Sequence, residues 1–327
     1  MRSSVRAAAL LLTVVATGYI LHADDTIAAP IGPQPSLSHV VGAQLLAAGM
    51  AIQGHEFFVS RLEIVPVGRR NITLPILMYH YVRNPPSLLS DWAGYKLSVS
   101  PADFAAQMDW LSLRGFHPVD FNDVRAYFAG KEPLPARPVV ITLDDGYSDL
   151  YTTAFPILAA HGFKAVAYIV SSFVGQPRYV TASQLVQMDR NGIEIASHTV
   201  DHADLARSSS ASTMRELVDS KLWLEHTLGR PVLDFAYPSG KFSARAVAEV
   251  SQAGYDTAVT TDGTLLDHSL ADRFVWTRVR VGGGETLSEF SLNLGQPMPY
   301  MTITAIHINT AAAAQPPHAR PTLQLLK

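Results

Sequence analysis

Between residues 72 and 295, short apolar runs alternate with longer amphipathic stretches, and a glycine stands at most junctions. Ile76-Leu77-Met78, Val139–Leu143 and Ala165–Val170 show little polar alternation, the pattern of strands covered on both faces. The stretches between such runs end at Arg114-Gly115-Phe116, His161-Gly162-Phe163, Asn191-Gly192-Ile193, Leu228-Gly229-Arg230 and Ala253-Gly254-Tyr255. Glycine tolerates the left-handed backbone that ends a helix, so each junction predicts a helix stop followed by a strand. Ser100 before Pro101 and Ser243 before Ala244 predict helix starts. This βα repetition predicts an α/β fold, a closed or nearly closed, distorted (β/α) barrel. An open doubly wound sheet is the alternative. No glycine-rich dinucleotide turn follows the first run, however, where Tyr79-His80-Tyr81 stands instead.

The flanks read differently. Arg2 and Arg6 precede an apolar run from Ala7 to Leu21 and small residues around Ala23, the order of a secretory signal. As a helix that run spans about 22 Å, short against a bilayer core of about 30 Å. Residues 1–23 are therefore expected to be a cleaved signal peptide or an anchor attached to the membrane through 7–21, with the rest extracytoplasmic. Residues 24–71 form a linker or extension containing Pro30, Pro33 and Pro35. An apolar helix over Val40–Ala51 and a strand within Phe57–Val67 are expected there. Residues 72–295 are the folded domain, and 296–327 an irregular tail with Pro297, Pro299 and the Ala311–Ala314 run.

Composition narrows the chemistry. The 327 residues carry 25 Lys+Arg against 28 Asp+Glu, a net charge of −3, which offers no electrostatic footprint for nucleic acid. There is no cysteine. Disulfides, a thiol nucleophile and Cys-ligated metal are excluded, and any metal must be held by His, Asp or Glu.

Polar residues fall just after the apolar runs: His80, Asp144-Asp145, Ser197-His198 and Pro238-Ser239-Gly240, with Arg278 and Arg280 on the last strand, Phe274 to Val281. In an α/β barrel these positions converge at one mouth. Adjacent carboxylates at a buried strand end repel unless a cation is present. Gly146 allows a sharp turn that sends the two side chains different ways, one toward a metal and the other toward a reacting water. His198 and His202, four apart, share one face of a helical turn and suit a single ion. With a carboxylate they make a His2Asp site for one divalent metal, zinc first, with cobalt, nickel and manganese also compatible.

Ile141-Thr142-Leu143-Asp144-Asp145-Gly146-Tyr147 and Ser197-His198-Thr199-Val200-Asp201-His202 resemble the first two motifs of the polysaccharide deacetylases, the NodB-homology domain of carbohydrate esterase family 4. The resemblance covers roughly residues 72–285. It implies metal-dependent removal of acetyl groups from sugars, with Asp144 as general base and Asp145, His198 and His202 as ligands. Phe235-Ala236-Tyr237-Pro238-Ser239-Gly240 lacks the arginine of the usual third motif, and no Leu-x-His closes the last strand. Both departures resemble the branch of biofilm poly-N-acetylglucosamine deacetylases, where the acid histidine comes from an N-terminal Tyr-His segment. Met78-Tyr79-His80-Tyr81-Val82 fits, making His80 the expected general acid and His307 its rival.

The expected mechanism is attack by a water that the ion activates, with the oxyanion held by the Ser239 backbone N–H. Arg278 is expected to orient Asp144, and Tyr237 and Trp276 to stack on the sugar. The expected substrate is an N-acetylglucosamine polysaccharide. An O-acetyl esterase and a non-catalytic carbohydrate-binding module are the alternatives.

Overall fold

The computed structural model describes residues 64–65, 71–261, 263 and 266–296. The expected signal or anchor segment, the Val40–Ala51 helix, the tail beyond 296 and His307 lie outside the described residues. Of the strand expected within Phe57–Val67, Ile64–Val65 is described and pairs with Leu134–Pro135. Among the described residues no helix is long and apolar enough to cross a membrane.

Helices and strands alternate along the chain. Strand β1 (Ile76–Tyr79) leads through helix α1 (Pro101–Leu113) and helix α2 (Phe121–Phe128) to strand β2 (Pro138–Asp145). Helix α3 (Phe155–Ala160), strand β3 (Ala165–Ile169), helix α4 (Ala182–Asp189) and strand β4 (Ile193–Ser197) follow. Helix α5 (Ser210–Leu228), strand β5 (Asp234–Ala236), helix α6 (Ala244–Gln252), strand β6 (Thr257–Val259), strand β7 (Val279–Arg280) and helix α7 (Leu287–Asn293) complete the order. The glycines at 115, 162, 192, 229 and 254 all have φ between 65° and 91°, which is why helices end where they do. Ser100 and Ser243 accept hydrogen bonds from the N–H groups of Asp103 and Ala246, capping α1 and α6.

The strands form one curled parallel sheet in the order β6-β5-β4-β3-β2-β1-β7. The expected last strand, Phe274 to Val281, is split between the two edges. Trp276 bridges Val259 of β6, with Thr260 N–H donating to Trp276 O, whereas Val279 and Arg280 pair with Leu77 and Met78 of β1. The edges are thus joined by one bent segment rather than by a further βα unit.

Two-residue periodicity sorts the strand side chains into two apolar clusters. Leu77, Ile141, Leu143, Ala167, Ile169, Ile193 and Ile195 meet the helices, while Ile76, Val140, Val166, Tyr168, Ala196, Ala236 and Trp276 fill the inside of the curl. The parity of the inner set carries forward to His80, Asp144, His198 and Arg278. Alternation therefore delivers all four to the same face.

Helix α2 plugs the opposite end, sending Phe121, Val124 and Tyr127 into the inner cluster. Its Phe121 N–H donates to Glu194 (2.8 Å), and Arg125 bridges Glu194 and Asp234, both buried at the starts of β4 and β5. Burial, joined by repulsion from Asp234, pushes Glu194 well above the ordinary carboxylate range despite Arg125. Removing Arg125 takes from both buried acids the guanidinium that bridges them. Arg125→Ala is expected to cost about 3 kcal/mol or more in urea denaturation, with the far mouth of the sheet unaltered in the folded protein; an unchanged denaturation midpoint would refute this account of the plug.

Candidate active site

Asp144 and Asp145 end β2, and the backbone separates them. Asp144 keeps the strand conformation and points inward, whereas Asp145 has φ 71° and Gly146 φ 79°, so the chain turns at Asp145 itself. The two carboxylates thereby enter different environments.

Asp144 is 2% exposed and lies against Arg278 in a two-pronged ion pair, Nη1 to Oδ1 and Nη2 to Oδ2, each 2.7 Å. Arg278 is itself 1% exposed. Its Nε donates to Thr260 O (2.8 Å) and its Nη1 also to Thr142 Oγ1 (2.9 Å). Burial alone would push Asp144 up. The charge and hydrogen bonds of Arg278, helped by His80 and His198, outweigh it and hold the carboxyl well below its usual range. His80 follows β1, with Nε2 3.9 Å from Asp144 Oδ2. Burial lowers its pKa to about 4; the pull of Asp144 opposes this and the nearby arginines reinforce it.

Asp145 faces two imidazoles. Its Oδ1 lies 3.5 Å from His198 Nε2 and 3.5 Å from His202 Nε2, and the three ligand atoms fall within 4.8 Å of one another. This Oδ1 is buried with no hydrogen-bond partner. Burial pushes Asp145 up, with Asp144 adding to that and the histidines opposing it. His198 Nδ1 lies 2.7 Å from Ala236 O, which assigns its proton to Nδ1 and leaves Nε2 free to coordinate. Burial also lowers His198 to about 4, keeping it neutral. A buried acid that turns an unpartnered oxygen toward two imidazole nitrogens fits one divalent cation.

The 198–202 segment is not the expected helical turn. It is a loop with Thr199 at φ 71° and His202 at φ 57°, and its rings meet edge-to-face at 4.9 Å. Glu216 of α5, itself 1% exposed, accepts the N–H groups of Val200 (2.9 Å) and Asp201 (3.0 Å) and so ties the loop down. His198 N–H donates to Ile169 O, and Ser171 and Ser172 N–H donate to Thr199 O and Val200 O.

Ser239 stands exposed at φ 54° in the turn after β5. Tyr237 and Trp276, expected to stack on sugar, are instead in the core at 0% and 1% exposure. Trp276 packs on Phe121 and Phe128 and donates Nε1–H to Ser269 O, and Tyr237 packs against Phe235 and Phe242. Neither ring has an open face.

Residue pattern alone missed the aromatic wall beside Asp145. Tyr81 stacks on Tyr147 at 3.6 Å, Tyr147 on Tyr179 at 5.2 Å, and the Arg83 guanidinium covers Tyr81 at 3.5 Å. Tyr81 and Tyr147 adjoin motif residues, which was the only hint. Thr142, beside Arg278, stands in the first motif, whereas Glu216, eighteen residues after His198, carried no hint.

His80, His198 and also His268, lowered to about 4 by burial, take up protons near pH 6.5 once unfolded. Between those values the unfolded chain binds more protons, so stability rises with pH across that window. The metal-free protein is expected to lose denaturation midpoint steadily from about pH 6.5 down to 4. A flat profile there would show that these rings are not neutral in the fold.

Comparison with known proteins bears on this geometry. Residues 131–258 match the polysaccharide deacetylase family model. A Bacillus subtilis protein, YxkH, provisionally named a polysaccharide deacetylase, is 29% identical over 217 residues, covering 66% of this chain and 74% of its own. The poly-β-1,6-N-acetyl-D-glucosamine N-deacetylase of Escherichia coli is 29% identical over 238 residues, covering 60% of this chain but 35% of its own length. Among solved structures, the Streptococcus pyogenes deacetylase PplD in complex with acetate superposes with a TM-score of 0.62 at 27% identity, covering 68% of this chain and 98% of that one. The matched segment runs from before β2 to β6 and so takes in both carboxylates and both histidines. The residues that carry the site thus lie in a polysaccharide deacetylase domain.

Proposed function

We propose that this protein hydrolyses N-acetyl groups on an N-acetylglucosamine polysaccharide with the help of one divalent metal ion. The observation that carries the proposal is the split between the adjacent acids. Asp144 is an anion locked to Arg278, and Asp145 is a buried acid shared by two imidazoles. The E. coli relative, named for poly-β-1,6-N-acetylglucosamine, supports the substrate class. The charged, apolar and small-residue order of residues 1–23 supports action outside the cytoplasm, by a secreted or anchored protein.

Asp145, His198 and His202 would hold the cation, with zinc preferred for this oxygen and nitrogen set. When bound it supplies Lewis acidity, lowering the pKa of water toward about 7. Asp144 accepts the proton of the attacking water, and Arg278 keeps it ionised and in one orientation while it waits. His80 is neutral at rest because burial holds it near 4. The proton it gives to the departing amine therefore arrives during the reaction, and Asp144, 3.9 Å away, is the group that holds one. The Ser239 N–H, in its tight turn, donates to the oxyanion as the amide carbonyl is attacked.

Acetate release from N-acetylglucosamine oligomers is expected to stop with a chelator and to return with added divalent metal. Asp144→Asn is expected to lower kcat by about a thousandfold, and His80→Ala by about a hundredfold, with a smaller loss on O-acetyl esters, whose alcohol leaves more easily. Release that ignores the chelator would sink the proposal. Arg278→Gln removes the charge that opposes burial, so the pKa of Asp144 rises. The acid limb of kcat/KM is expected to move to higher pH, and an unmoved limb would separate Arg278 from the base.

A further inference from the structure

A cleft of about 690 Å³ opens at the same mouth, between the short helix Trp92–Leu97, the Gly282–Gly284 turn after β7, and α7. Two features tie it to the reacting center. Arg280 lines it, lies opposite Met78 two residues before His80, and its charge acts on His80. The helix runs directly into Ser98–Val99, which pairs in parallel with Tyr81–Val82 just past His80.

The cleft is built by close backbone approach. A Cβ at Gly282 would stand 2.2 Å from Lys96 O, one at Gly283 2.0 Å from Tyr95 O, and one at Gly284 2.6 Å from the Tyr95 hydroxyl. Side chains at Gly282 and Gly283 would force the turn off the helix. One wall is rigid and polar: Glu285 accepts from Asn293 Nδ2 (2.7 Å), and Glu289 accepts from Thr286 N–H (2.8 Å). The other carries Trp92, which is 65% exposed, and among the described residues no ring or cation lies on its face. An open indole facing fixed hydrogen-bonding groups suits a pyranose, whose C–H face stacks while its hydroxyls bond at the edge.

We infer that this cleft is a subsite for a second sugar unit of the same glycan chain, flanking the unit whose acetyl group is removed, with Trp92 as its stacking platform. The inference rests on the proposed deacetylase activity and assigns where the polymer lies. Binding energy gathered there positions the reacting amide.

The test compares native protein and Trp92→Ala, loaded with divalent metal, on N-acetylglucosamine oligomers from dimer to hexamer. Because Trp92 is exposed, its loss should leave the melting temperature unaltered. The expected result is about a tenfold fall in kcat/KM on the hexamer, carried by KM, a smaller fall on the dimer, and partial rescue by Trp92→Phe. Equal kcat/KM on the hexamer would overturn the subsite while leaving the deacetylase reading intact. If neither protein releases acetate from any oligomer, the deacetylase reading itself fails. Titration of Asp144→Asn and of Asp144→Asn with Trp92→Ala by the hexamer then decides the subsite alone: weaker binding without Trp92 supports it, and equal binding refutes it.

Discussion

The contact on which the site turns is the buried pair between Arg278 and Asp144. A carboxylate at 2% exposure would ordinarily take up a proton rather than stay charged. Here the guanidinium meets both of its oxygens in one plane, and the remaining polar atoms nearby are occupied by Thr142 and Thr260 O. Lysine, with one point charge, would not reproduce that fork. The pair leaves Asp145 as the carboxylate without a counter-ion of its own, so one side chain decides which acid is spoken for and which is available to a cation.

The loops around the pair hold unusual backbone. Of the six described non-glycine residues with positive φ, Asp145, Thr199, His202 and Ser239 all belong to the site. Each such conformation costs on the order of 1–3 kcal/mol and persists only where neighbours fix it. Glu216 under the 198–202 loop and the N–H donors of His198, Ser171 and Ser172 are such neighbours. The rigid sheet thus supports a mouth shaped by strained loops, a division of labour suited to aiming side chains within tenths of an ångström.

Much of this was legible from residue order because it obeys local rules. The glycine stops and serine caps act within one helical turn, and strand alternation carries His80, Asp144, His198 and Arg278 to one face whatever the tertiary detail. What escaped was set by contacts distant in the chain. Trp276 and Tyr237 carry the same chemistry as a sugar platform, and only packing against Phe121, Phe128, Phe235 and Phe242 shows that their faces are covered. The stack of Tyr81 on Tyr147 joins residues 66 positions apart by subtraction of their numbers. The His-x3-His spacing suggested a helix, but two left-handed residues achieve the convergence instead, so spacing foretold that the two rings meet and not the backbone that brings them together.

The bent segment that joins the sheet edges has a further consequence for how the molecule comes into being. Asp144, Asp145, His198 and His202 all precede it in the chain, whereas Arg278 lies within it. A nascent chain that has emerged only through β6 holds Asp145, His198 and His202 but lacks the guanidinium that allows Asp144 to remain an anion indoors. The site is therefore completed last during synthesis, by the same few residues that seal the sheet, and a product cut short before residue 276 would retain Asp145, His198 and His202 but leave Asp144 without its guanidinium.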